Sequence, residues 1–120
     1  RNAMTTDGTA RIMEEIMQNI IFDEKNINLK NCLFRQIKEQ SQDKDANNQI
    51  NGFLGEGLPQ NIPFWSKAGL MSEARNDAAW WINKNQSKTL LVVFTEGKEF
   101  ANDNNFLPEF SKAIYEFIHS

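Results

Sequence analysis

Near the middle of the chain, three adjacent residues, Lys67-Ala68-Gly69, combine a charge with a missing side chain. They lie in the apolar run Ile62–Met71, where strand alternation puts Lys67 on the same face as Trp65 and Gly69. Two readings stand side by side. On an edge strand the ammonium guards against strand-to-strand aggregation, and Gly69 marks a bulge. Facing a cleft, it attracts an anion, Gly69 lets a ligand approach the backbone, and the following N–H, that of Leu70, is free to hold an oxyanion.

The remaining reactive side chains offer less. Glu73, Arg75 and Asp77 alternate in a strand–turn segment, so they share a face. That spacing suits an acid–base set, but it also suits a partly exposed ion-pair cluster, which is the expectation adopted. Cys32, the single cysteine, falls on the apolar stripe of a predicted helix and is expected to pack as a small hydrophobe. His119 has no second His or Cys at ligand spacing, so it reads as a solvated terminal residue, and neither a metal nor a cofactor is expected. Trp80 and Trp81 are adjacent and point to opposite faces, one under the last helix and the other against the first two, as core rather than as a ligand platform.

Composition narrows the partners. The 13 Lys and Arg are scattered among 16 acids for a net charge of −3, without the basic stripe that nucleic acid requires. No apolar run approaches the ~20 residues of a membrane helix. Arg1-Asn2-Ala3 ahead of Met4 reads as an expression scar, leaving residues 4–120 as one domain.

The elements that must position Lys67 follow from periodicity. Ile12, Met13, Ile16, Met17 and Ile20 recur at helical spacing behind the capping residues Thr5, Thr6, Asp7 and Thr9. A second helix is expected over about Asn28–Gln40, with Leu29, Cys32, Leu33, Gln36 and Ile37 on one side. Glu39–Gln49 is almost wholly polar and reads as a surface loop. Ile50, Phe53 and Leu54 return to the core, and Gly55, Gly57, Pro59 and Pro63 stop any helix and lead an extended segment into the first strand. Ile62–Met71, Ala78–Ile82 and Thr89–Thr95 then form an antiparallel meander, whose last strand is apolar on both faces and so needs a layer on each side. Gly97–Asn105 reads as a polar turn that caps a final helix carrying Phe106, Phe110, Ala113, Ile114, Phe117 and Ile118. The expectation is an α+β domain: a three-stranded antiparallel sheet with two N-terminal helices and a C-terminal helix packed on it. Its last strand ends the sheet, which implies pairing with a second copy or with strands of a longer protein.

Beyond these patterns, the chain resembles the penicillin-recognising serine hydrolases, class A β-lactamase-like branch. Lys67-Ala68-Gly69 matches the family's Lys-Thr/Ser-Gly strand, and Glu73-Ala74-Arg75-Asn76-Asp77-Ala78-Ala79 is similar to the Gly-Glu-Ala-Arg-His-Asp-Ala-Ala segment that follows it in many members. Val92-Val93-Phe94-Thr95-Glu96-Gly97, the last helix, the helix opening Thr9-Ala10-Arg11-Ile12-Met13, and Gly57-Leu58-Pro59 before the strand follow the family's order. The likeness covers nearly the whole chain, but only the final part of such an enzyme.

That resemblance implies roles for four residues. Lys67 would supply positive charge for a substrate carboxylate, Gly69 would keep the cleft open, and Leu70 would give one oxyanion N–H. Ala68 departs from the pattern: the hydroxyl that bonds the substrate carboxylate is absent, a loss of about 1.5–3 kcal/mol for a bond to a charged group. The family's nucleophile is the Ser of a Ser-x-x-Lys one helical turn from its base. The match here, Ser41-Gln42-Asp43-Lys44, lies in the polar loop, after the helices it should precede, and no Ser-x-Asn is present. Glu24-Lys25-Asn26-Ile27-Asn28 is similar to the loop of the deacylating carboxylate, but reads as a helix start. No catalytic set is therefore complete. The leading expectation is the C-terminal portion of a β-lactamase-like hydrolase, inactive alone, whose β-lactam or acyl-peptide ligand is bound together with the missing part. The parent would be periplasmic or extracellular. The alternative is a free-standing non-catalytic dimerisation or ligand-binding module.

Overall fold

Alternating apolar runs and tight turns build the sheet, and two amphipathic stretches build the layers on it. The computed structural model describes residues 4–18, 24–37 and 48–120. In chain order these form α1 (Thr6–Gln18), α2 (Glu24–Leu33), β1 (Phe34–Arg35), a 3-10 turn (Leu54–Gly57), β2 (Phe64–Met71), β3 (Ala74–Ile82), β4 (Lys88–Phe94), α3 (Lys98–Ala101) and α4 (Phe106–Ile118). The sheet is antiparallel in the order β1-β2-β3-β4.

Among the described residues the sheet thus has four strands rather than three. The second helix stops at Leu33, and Phe34 and Arg35 extend to pair with Trp65 and Phe64. Phe34 meets Trp65 edge-on with ring centroids 5.6 Å apart, a contact that rewards leaving the helix. Cys32 and Leu29 are consequently exposed rather than packed, whereas Ile37 reaches the core.

Residues directly opposite in the register share a face. Phe64, Ala68, Ala79 and Trp81 look toward the 3-10 turn and α4, packing with Leu54, Leu58 and Leu107. Trp80 and Ala78 look the other way, toward Met13 and Met17 of α1 and Leu33 of α2. The two tryptophans divide between the layers as their adjacency requires. β4 places Leu91 and Val93 against the first cluster and Leu90 and Val92 against the second, and among the described residues it ends the sheet.

Three local expectations are corrected. The segment after Phe53 is a 3-10 turn rather than extended chain, because it packs directly on α4: Ser111 Oγ donates to the Leu54 carbonyl at 2.6 Å. A Cβ on Gly57 would sit 2.0 Å from the Pro108 carbonyl oxygen, so only glycine permits that approach. Lys98–Ala101 is a helical turn, not a polar loop, with Ala101 buried. In α4 the buried positions are Leu107, Pro108 and Ser111, with Phe106, Phe110 and Tyr115 packed beside them. Phe117 is 79% exposed, because the packing surface stops short of the last turn. Just ahead of α4, Asp103 Oδ1 accepts the N–H groups of Asn105 and Phe106, whereas Asn105 at the N-cap position makes no side-chain capping bond.

Candidate functional site

Alternation puts Lys67 and Gly69 on the α1 side of β2, and Ala68 on the α4 side. Lys67, Gly69 and Leu70 are exposed, whereas Ala68 is buried directly opposite Asp77 of β3. Pairing runs without a break from Ala68↔Asp77 through Gly69↔Asn76 to Leu70↔Arg75, so Gly69 marks no bulge. A Cβ built on Gly69 meets nothing within 4 Å; the glycine faces open space.

The outer edge of β2 carries the polar groups. β1 covers only Phe64 and Trp65, and beyond them no strand lies against this edge among the described residues. The Ala68 N–H points outward and donates to Gln49 Oε1 at 2.8 Å. Its carbonyl accepts from the Lys67 ammonium at 2.6 Å. Two residues on, Leu70 has the same outward orientation, which presents its N–H at the edge. Nothing in the sequence pointed to Gln49, which closes a polar stretch read as featureless loop.

Glu73, Arg75 and Asp77 are not an exposed ion-pair cluster. Glu73 is exposed at the hairpin, whereas Arg75 and Asp77 are buried and serve different partners. The Arg75 guanidinium donates to the carbonyls of Gly52 and Ala101 and to Asn104 Oδ1, and lies 4.9 Å from the centre of the Phe53 ring. Burial lowers its pKa, opposed by the charge of Asp103. Asp77 is 1% exposed. Its Oδ2 accepts the Leu54 N–H at 3.0 Å, and Oδ1 has no partner. Burial pushes this carboxyl up to about 7, against the pull of the Leu54 and Ala78 N–H groups and of the charges on Arg35 and Lys67. Both residues fasten the chain between Gly52 and Leu54 to the sheet.

Ser41-Gln42-Asp43-Lys44 lies outside the described residues. Glu24 to Asn28 forms the first turns of α2. His119 is exposed and stacks on Tyr115 with ring centroids 3.9 Å apart. Among the described residues no group of three His, Cys, Asp or Glu side chains is placed to hold a metal, and no helix is long and apolar enough to cross a membrane.

This arrangement of helices on an antiparallel sheet is similar to part of the fold of class A β-lactamases. A β-lactamase from Streptosporangium roseum superposes with a TM-score of 0.73 at 18% identity, covering 99% of this chain and 42% of that one. The reconstructed class A β-lactamase of the last common ancestor of Gram-negative bacteria gives 0.73 at 21% identity, covering 99% and 43%. The protein PBP-A gives 0.69 at 16% identity, covering 99% and 44%. The chain therefore spans less than half the length of these structures. None of the curated proteins compared with it matches by sequence. A family model, Beta-lactamase2, described as the β-lactamase enzyme family, matches residues 1–118, and the chain belongs to that family.

Proposed function

We propose that this chain forms the Lys-x-Gly wall of a site for carboxylate-bearing β-lactams or acyl-peptides and does not complete the chemistry by itself. The observation that carries the reading is the outer edge of β2, where Lys67 is exposed, Gly69 faces open space and Leu70 turns its N–H outward. A ligand lying along this edge places its carboxylate by the Lys67 ammonium and an acyl oxygen by the Leu70 N–H. Acyl transfer also needs an activated serine, which a further segment of a longer protein supplies. Benzylpenicillin is expected to change the fluorescence of Trp65, on the same face as Lys67, and Lys67→Ala to abolish the change. A response that survives Lys67→Ala would sink the assignment. Incubation with a reactive cephalosporin is expected to leave the intact mass unaltered; a covalent adduct would identify a nucleophile in this chain and overturn the incomplete-enzyme reading.

A second part of the proposal concerns β4. Among the described residues it ends the sheet, and Leu90, Leu91, Val92 and Val93 are only half-buried although a layer packs on each face. Another strand, from a longer protein or a second copy, pairs along this edge. Light scattering separates these: a concentration-independent dimer supports the second copy, an aggregating monomer the missing strands. A well-behaved monomer at high concentration refutes both.

A further inference from the structure

We propose that Gln49 is a ligand-binding residue of this edge: its side-chain amide, anchored at one end on the β2 backbone, presents its NH2 group to the carboxylate of a ligand lying beside Lys67. The inference rests on the reading of β2 as a ligand wall and adds a residue to it.

Chemistry fixes the orientation of the amide. A backbone N–H only donates, so the Gln49 atom 2.8 Å from the Ala68 nitrogen is Oε1, and the two N–H donors of Nε2 turn away from the strand. Gln49 is half-buried, and among the described residues Nε2 meets no acceptor. The N–H and carbonyl of one strand residue point the same way. Gln49 on the Ala68 N–H and the Lys67 ammonium on the Ala68 carbonyl, at 2.6 Å, therefore stand next to each other along the same edge. A carboxylate accepts through both oxygens. A cationic donor beside a neutral double donor is a matching pair.

The amide is also held in place before a ligand arrives. Asn48 Oδ1 accepts the N–H groups of Ile50 and Asn51 at 2.8 and 3.1 Å, which shapes the turn carrying Gln49. Leu54 is fastened to Asp77, the residue opposite Ala68. Gln49 thus spends little further side-chain freedom on binding. Ala68 offers no hydroxyl, and its side chain is turned into the core. Gln49 supplies a neutral donor from a different segment.

The test is a titration of the 15N-labelled chain with benzylpenicillin and, separately, with its methyl ester, followed by amide cross-peaks. The free acid is expected to move the paired Gln49 side-chain NH2 signals together with the backbone amides of Ala68 and Leu70. The ester should bind at least tenfold more weakly and leave the Gln49 pair in place. Gln49→Ala should weaken the acid about five- to tenfold and shrink the acid-over-ester preference, and Gln49→Glu should weaken it further through like-charge repulsion. If the Lys67 and Leu70 amides move while the Gln49 NH2 signals stay still, or if Gln49→Ala binds the acid unchanged, the role of Gln49 is overturned and the β2 wall stands. If nothing from Lys67 to Leu70 moves, both fall. Should Gln49→Ala fail to fold, the NH2 signals of the unaltered chain still decide the question.

Discussion

The contribution of Asp77 to stability is expected to fall as pH rises, the reverse of the usual behaviour of a paired carboxylate. Its side chain is 1% exposed and its pKa is raised from 3.8 to about 7 by burial. Below the lower value both native and unfolded chains hold the proton, and the group contributes its full stability. Between the two values the native state keeps a proton that the unfolded chain has released, so stability drops by about 1.4 kcal/mol per pH unit. Across that interval the drop sums to about 4 kcal/mol, and it levels off above the native value. Asp77→Asn removes the titration but keeps an oxygen for the Leu54 N–H. Urea unfolding followed by tryptophan fluorescence at pH 4.5, 6 and 8 is the assay. Other carboxylates contribute with the opposite sign, so the quantity to read is the difference between the unaltered chain and Asp77→Asn. That difference should shift in favour of the variant by a few kcal/mol from pH 4.5 to pH 8. A constant difference, or one of opposite sign, would refute the argument that an uncompensated carboxyl is buried there.

Gly57→Ala should destabilise by about 3 kcal/mol or abolish folding, because the new methyl meets the Pro108 carbonyl and Ser111 Oγ at 2.0 and 2.3 Å; thermal melting checks it. Arg75→Lys should cost about 2–4 kcal/mol in the same assay, since a lysine ammonium does not span the carbonyls of Gly52 and Ala101 and the Asn104 side chain together. Gly69→Val, in open space on a paired strand, should leave the melting temperature nearly unchanged while suppressing the fluorescence response to benzylpenicillin. Ala68→Thr should cost about 1–3 kcal/mol by overpacking a buried position and should not tighten benzylpenicillin binding, which a fluorescence titration measures.

What the sequence made legible was periodic. Three strands, the split of Trp80 and Trp81 between layers and the shared face of Lys67, Trp65 and Gly69 all follow from a period of two, which a covered sheet enforces at every position. Helix ends and short turns were not legible, because tertiary contacts decide them. Phe34 leaves α2 for an aromatic partner 31 positions later in the chain, on β2, and the Leu54–Gly57 turn exists through its seat on α4. Arg75 and Asp77 depart from their sequence pattern for a related reason. Opposite charges at alternate strand positions suggest an ion pair, yet each side chain finds backbone partners on segments distant in the chain, Leu54 of the 3-10 turn for Asp77, and Gly52 together with Ala101 of α3 for Arg75, whose placement local pattern does not specify.

The same limitation governs the site. Lys67 and Gly69 are visible because their side-chain types are unusual where they stand, whereas Gln49 is an ordinary residue made special by its neighbour across space. The chain from Asn48 to Leu58 is the joint between core and edge. It is held by Ala68 at Gln49, by Arg75 at Gly52, and by Asp77 and Ser111 at Leu54. Two of those anchors, Arg75 and Asp77, are buried polar groups that cost stability unless satisfied, which a simple apolar staple would not. Their effect is to add directional bonds to the non-directional packing of Phe53, Leu54 and Leu58 in setting the position of this segment. A side-chain amide held on a strand edge needs that positional definition, so the polar anchoring of the core and the placement of Gln49 are one structural arrangement.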